Sequence, residues 1–288
     1  MKEAMYYDKK EGKKVQCMLC PHKCIIPPGK SGFCKVRKNI GGKLIALTYG
    51  KPVSIAVDPI EKKPLYNFHR GEQILSIGTF GCNFSCKHCQ NYNMAREFFE
   101  NQIEELETVT PTQIVDLCET KGLKMIAYTY NEPTVFYEYM LDIAKLARKK
   151  GIKNVIVSNG YTTKQPLLKL LPFIDAANID LKSFSDKFYK EISNGSLDVI
   201  KENLQLYKKY CHLEITNLII PTLNDNLEII EEMCIWIKEH LGEDTPLHLS
   251  RFFPYYKLQH LSPTSLQTLL SAEKIARKHL KNIYLGNI

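Results

Sequence analysis

No segment of this 288-residue sequence approaches the roughly 18 consecutive apolar residues that a membrane-spanning helix needs. The N-terminal stretch MKEAMYYDKKEGKK carries charges with no apolar run behind them, so it lacks the layout of a secretory signal. These absences set the expectation of a soluble, cytoplasmic protein with no membrane partner. A glycine-rich dinucleotide fingerprint is also missing, which weighs against a doubly wound nucleotide-binding sheet. The cysteines do not suit a small disulfide scaffold either: there are ten, no signal peptide precedes them, and seven fall in two tight clusters. Metal binding is the better reading of those seven, while Cys118, Cys211 and Cys234 sit in apolar patterns as buried, inert thiols.

Acidic residues are scarce at the N-terminus. Residues 1–73 carry 15 Lys and Arg against 6 Asp and Glu, whereas the remainder carries 24 against 25. The net charge of +8 therefore belongs to the first quarter of the chain, where it can meet nucleic acid, an acidic protein, or only solvent.

From about residue 74, short β-branched runs alternate with helix-period segments, the pattern of repeated βα units around a parallel sheet. Six strands are expected at 74–80, 124–130, 154–160, 177–183, 212–221 and 246–253, with NIYLGNI as a seventh. The expected fold class is α/β, a partial (β/α)6 TIM-type barrel over 74–288. Residues 1–73 lack that rhythm and hold four cysteines, which predicts a small metal-stapled domain with a thin core of its own.

The segment GTFGCNFSCKHCQN follows the first strand and places Cys82, Cys86 and Cys89 within eight residues. Three thiolates anchor three corners of an iron–sulfur cube and leave one iron open for a chelating ligand. Zinc completed by a fourth residue is the competing reading, and His88, squeezed between Cys86 and Cys89, is a poor fourth ligand. In a βα barrel, ligand-binding groups gather at the C-terminal ends of the strands. Strand two ends in Asn131-Glu132-Pro133 and strand three in Ser158-Asn159-Gly160. Strand four puts Asn178, Asp180 and Lys182 on one face. Strand five does the same with Glu214 and Thr216, and strand six with His248 and Ser250, with Arg251 beyond. Taken together these positions suggest one polar pocket. In the N-terminal region Cys17, Cys20, Cys24 and Cys34 supply four ligands, which satisfy tetrahedral zinc or a fully ligated iron–sulfur cluster equally well. Zinc is the plainer choice.

The cysteine loop resembles that of the radical S-adenosylmethionine (SAM) superfamily. The resemblance implies a 4Fe-4S cluster on Cys82, Cys86 and Cys89, with SAM chelating the open iron and cleaved reductively to a 5′-deoxyadenosyl radical. It makes Glu132, Asn131, Ser158, Asn159, Asp180, Lys182, His248 and Arg251 candidates for the SAM pocket. The Asn131-Glu132-Pro133 turn is similar to the superfamily's Gly-Gly-Glu-Pro site, with Tyr130 and Asn131 replacing the glycines. Asp180-Leu181-Lys182 matches a pattern of glycyl-radical-enzyme activases, and His88 stands where an aromatic is common. Over the whole chain, segments such as CMLCPHKCIIPPGKSGFCKVRKN, YGKPVSIAVDPIEKKPLYNF and LHLSRFFP resemble the radical SAM member of the AmmeMemoRadiSam system, itself similar to pyruvate formate-lyase activating enzymes. That resemblance implies Memo-like and AMMECR-like partners and an external one-electron donor such as flavodoxin or ferredoxin. The readings carried alongside it are a glycyl-radical-enzyme activase, a radical enzyme acting on RNA or another nucleic acid, and a non-catalytic zinc-stapled interaction protein.

Overall fold

The computed structural model describes residues 2–288. Eight strands form one sheet: β1 (Ser54–Pro59), β2 (Gln73–Gly78), β3 (Met125–Tyr128), β4 (Lys153–Ser158), β5 (Ala176–Asp180), β6 (His212–Ile219), β7 (Leu247–Arg251) and β8 (Ile283–Gly286). They lie in sequence order, β2 to β8 parallel and β1 antiparallel to β2. The α/β partial barrel is therefore as expected, with NIYLGNI supplying the last strand. The sheet does not close on itself: β1 and β8 are its two edges.

Six principal helices cover the outside: α1 (Pro111–Thr120), α2 (Tyr137–Lys149), α3 (Lys164–Leu170), α4 (Leu197–Tyr210), α5 (Leu227–Leu241) and α6 (Leu266–Ala276). Their ends follow local chemistry. Thr110 caps α1 by accepting from the Gln113 N–H, with Pro111 in the first turn where a missing N–H costs nothing. Asn226 caps α5 in the same way. Among the described residues no helix is long and apolar enough to cross a membrane.

The N-terminal residues form two three-stranded antiparallel sheets, one from Tyr7–Lys9, Val15–Cys17 and Ile25–Ile26, the other from Lys2–Glu3, Lys43–Ala46 and Arg37–Ile40. Their apolar side chains, Val15, Leu19, Ile26, Val36 and Leu44, are continuous with the barrel core. Between the two parts lies a buried ion pair, the Arg37 guanidinium donating to both carboxylate oxygens of Glu138 on α2 at 2.7 and 2.8 Å.

Residues 54–67 correct the reading of 1–73 as one small domain. Ser54–Pro59 is the barrel's edge strand, and the chain that follows crosses the barrel floor, with Ile60 and Leu65 packed among Ile74, Met125 and Val155. The polar floor of the barrel holds this plug. Asn178 Nδ2 donates to Pro64 O at 2.8 Å, and Glu214 accepts the Tyr66 and Asn67 backbone N–H groups at 3.0 and 2.7 Å. His212 and His248 complete the Glu214 shell at 2.9 and 2.6 Å. Burial alone would raise the Glu214 pKa, but the bonds from His212, His248 and the plug outweigh it and bring it down to about 2. A depressed carboxylate stabilises fully above its unfolded pKa and loses that contribution as pH falls through the folded value. The wild type should accordingly lose on the order of 3 kcal/mol of stability between about pH 4.5 and pH 2 through this group. A thermal melt series should show that slope, and Glu214→Gln should flatten it. An unchanged acid slope in the variant would remove Glu214 from the account.

Candidate functional site

The loop after β2 carries the three cysteines and is fixed from several sides. Ser85 and Lys87 N–H groups donate to the Ser193 and Ile192 carbonyls at 3.0 and 3.1 Å, and Gly81 N–H donates to Met94 O at 2.8 Å. Gly81 has φ +94°, and a Cβ there would lie 2.7 Å from the Val36 side chain and 2.8 Å from Cys34 O, so only glycine lets the loop lie against the N-terminal sheets. Asn131 acts as a second clamp: its Nδ2 donates to Gly81 O at 2.7 Å while its Oδ1 accepts the Thr79 N–H at 3.0 Å. Tyr130 takes φ 71°, the conformation a glycine favours, in the place where the superfamily pattern has one. The substitution thus keeps the backbone shape and adds a phenol, which donates to Asp58 Oδ2 at 2.5 Å.

Cys82, Cys86 and Cys89 line one cavity of about 480 Å³, together with Asn131, Glu132, Ser158, Asn159, Asp180 and Lys182. That size lies within the range of small-molecule sites. Burial raises all three thiols, Cys89 to about 11, with the Glu132 carboxylate adding to the effect at Cys82. Such thiols stay protonated until a cation stabilises the thiolate, so cluster loading would release protons.

Glu132 is 2% exposed and, among the described residues, has no cationic partner. It accepts the Ser158 hydroxyl and Thr134 N–H on one oxygen at 2.8 and 2.9 Å and the Asn159 N–H on the other at 2.8 Å. Burial holds its pKa up, against the pull of those donors. Three donors leave roughly one of four acceptor positions free, and the cavity is where a cationic ligand group would reach it. Asn159 also points Nδ2 toward Cys82 Sγ at 3.9 Å and donates to Asn83 Oδ1 at 2.8 Å. Across the cavity, Lys182 Nζ meets Asp180 Oδ2 at 2.7 Å; burial opposes the ammonium charge, and the Asp180 carboxylate outweighs it. His88 is buried on the same wall, and burial together with the Lys182 charge lowers its pKa to about 3, so it is a neutral ring there.

Two expected pocket residues stand elsewhere. His248 points inward but at the floor of the barrel, on Glu214. Arg251 is the last residue of β7, where its Nε donates to Thr264 O at 2.7 Å and its guanidinium covers Phe253. Neither lines the cavity. Asp58 and Lys63, paired at 2.7 Å, do line it, from the edge strand and the start of the plug. Sequence reasoning passed over them as site residues although they fall inside YGKPVSIAVDPIEKKPLYNF.

Residues 76–237, from the strand before the cysteine loop through α5, match the radical SAM superfamily model. The chain belongs to the radical SAM superfamily. Like its other members it is an enzyme that uses a 4Fe-4S cluster and SAM. It is 45% identical over 290 residues to an uncharacterized protein of Methanocaldococcus jannaschii, a match that covers all of this chain and 86% of that one. It is 27% identical over 217 residues to the pyruvate formate-lyase-activating enzyme of Clostridium pasteurianum, covering 70% of this chain and 85% of that enzyme. Among solved structures, Streptococcus suis SuiB bound to its precursor peptide SuiA shares the fold with a TM-score of 0.57 at 14% identity, over 79% of this chain and 51% of SuiB. This chain thus spans about half the length of SuiB.

Proposed function

We propose that Cys82, Cys86 and Cys89 hold the radical SAM cluster and that the protein uses it to activate or modify a macromolecular partner within the AmmeMemoRadiSam system. The observation that carries this reading is the convergence of the three thiols, the cation-free Glu132 carboxylate and the Asp180–Lys182 pair on one cavity. When bound, a reduced cluster supplies one electron that splits SAM into methionine and a 5′-deoxyadenosyl radical. Glu132 would accept from the SAM ammonium, and Lys182 would offer a positive charge to the SAM carboxylate. Asn159 orients Cys82 and the turn that follows it. The closed floor, plugged by residues 60–67, keeps water from entering beneath the reacting groups. A macromolecular substrate fits the likeness to an activating enzyme and to a peptide-bound structure.

Anaerobic reconstitution with iron and sulfide, followed by SAM and a reductant, should yield 5′-deoxyadenosine, and a Memo-like or AMMECR-like partner should raise its yield and gain a mass change. Partners that change neither would sink the assignment to this system. Glu132→Gln should weaken SAM binding about tenfold to a hundredfold, the worth of one hydrogen bond to a charged group. Calorimetry on the reconstituted protein reads this directly, and equal affinities would place the SAM ammonium elsewhere.

A further inference from the structure

Outside the SAM cavity, a second small cavity is lined by Cys17, Cys20, Cys24 and Cys34 together with Arg37 and Asn83. Among the described residues no three Cys, His, Asp or Glu side chains close on a common point as a single ion requires. Tetrahedral zinc at Zn–S bonds of ~2.3 Å would hold its sulfurs roughly 3.8 Å apart. Neither the four thiols of this cavity nor Cys82, Cys86 and Cys89 make a ready-made single-ion site. A cube gives each thiolate its own iron and so holds the sulfurs around a hollow.

Arg37 supplies an independent sign. Its side chain is 2% exposed, its two terminal nitrogens are committed to Glu138, and its Nε has no partner although it is buried. A cationic N–H without an acceptor is costly in an apolar wall and suits the sulfur surface of an anionic cluster. The Phe33 N–H already donates to Cys24 Sγ at 3.4 Å, the kind of bond that tunes such sulfurs.

The two cysteine sets are neighbours. Asn83 lines the second cavity and directly follows Cys82. His22 Nε2 lies 2.7 Å from Asn83 O, and Arg96 donates to both Phe33 O and Cys82 O at 2.8 and 3.1 Å. Beside them, Lys35, Lys87, Arg96, Lys190 and Lys257 line a surface hollow together with Glu97 and Glu191, a net positive face suited to an acidic electron-transfer protein.

We propose that Cys17, Cys20, Cys24 and Cys34 hold a second, fully ligated 4Fe-4S cluster that relays single electrons to the SAM cluster. The relay half rests on the proposed function; the metal assignment does not. A reduced flavodoxin or ferredoxin gives up one electron, the second cluster is reduced by it and is reoxidised as that electron moves on, and no proton or group is transferred.

The test is anaerobic reconstitution followed by iron and sulfide analysis. Wild type should bind about eight iron atoms, and the triple variant Cys82→Ala/Cys86→Ala/Cys89→Ala about four, with a reduced EPR signal that SAM does not alter. A folded triple variant holding one zinc and no sulfide, or no metal at all, overturns the second cluster. Cys17→Ser/Cys20→Ser offers the converse: about half the iron is lost and the remaining signal responds to SAM, whereas undiminished iron overturns the assignment. In that variant, flavodoxin-driven 5′-deoxyadenosine formation should fall much further than dithionite-driven formation. Equal falls with both reductants overturn the relay. The iron content of the triple variant is independent of SAM cleavage, so a wild type that produces no 5′-deoxyadenosine sinks the SAM reading and leaves the second cluster standing.

Discussion

Cys86→Ala is expected to reduce 5′-deoxyadenosine formation from SAM to the assay background. Cys86 is the middle ligand of the loop, buried and flanked by the Ser85 and Lys87 backbone bonds to Ser193 and Ile192. Removing its sulfur leaves two corners of the cube anchored and exposes a second iron, so the cluster loses both its hold and the single open site that SAM chelates. The loop itself should survive, because its fixing bonds are made by backbone groups. Far-ultraviolet circular dichroism should therefore match wild type while the SAM-responsive EPR signal disappears. Cys118→Ala is the control: that thiol is buried at the end of α1, against Leu123 O and Met125 O, and its removal should leave 5′-deoxyadenosine formation intact. Activity surviving in Cys86→Ala would return the loop to a structural role.

Glu138→Ala should produce the largest loss of stability, about 3–5 kcal/mol, because it strands a buried guanidinium. Arg37 and Glu138 are 2% and 1% exposed, and Glu138 also accepts the Met5 N–H at 2.8 Å. Burial raises the Glu138 carboxyl and the Arg37 charge more than reverses it, so the pair is ionised. With total stabilities of about 5–15 kcal/mol, such a loss moves a urea midpoint far. The double variant Arg37→Met/Glu138→Leu should recover most of it, since neither charge is then left alone. A midpoint unchanged in Glu138→Ala would show that apolar contacts alone fasten the N-terminal sheets to α2.

The strands and the cysteine loop were legible because period two and Cys spacing are local properties. What period two leaves out is height along the barrel axis. Asp180 and His248 both point inward by alternation, yet one reaches the cavity beside the cysteines and the other the floor on Glu214. Asn178 and Glu214 share that fate: their partners are the Pro64 carbonyl and the Tyr66 and Asn67 N–H groups, contributed by a segment more than 100 residues away. The edge strand was harder still. Ile55 and Val57 are 38% and 42% exposed, so its apolar residues face outward and its polar Asp58 faces in, the reverse of the usual pattern. The four N-terminal cysteines were visible as ligands, but the choice between one ion and a cube depends on how their thiols stand in space.

The two edges of the sheet, β1 and β8, do not pair; low in the barrel β8 is tied instead to the plug that follows β1, where the Tyr284 phenol donates to Asn67 Oδ1 at 2.6 Å. Higher up, Lys62 from the β1 side and Asn287 from the β8 side border the same cavity with no bond between the strands. A sealed ring can be entered only end-on, by a small molecule or a free chain terminus. A ring split along one side works as a slot: a loop still tethered at both ends can be laid into it sideways. A folded partner would then need to lend only a short bight of chain, and the residue presented to the radical need not lie near either terminus.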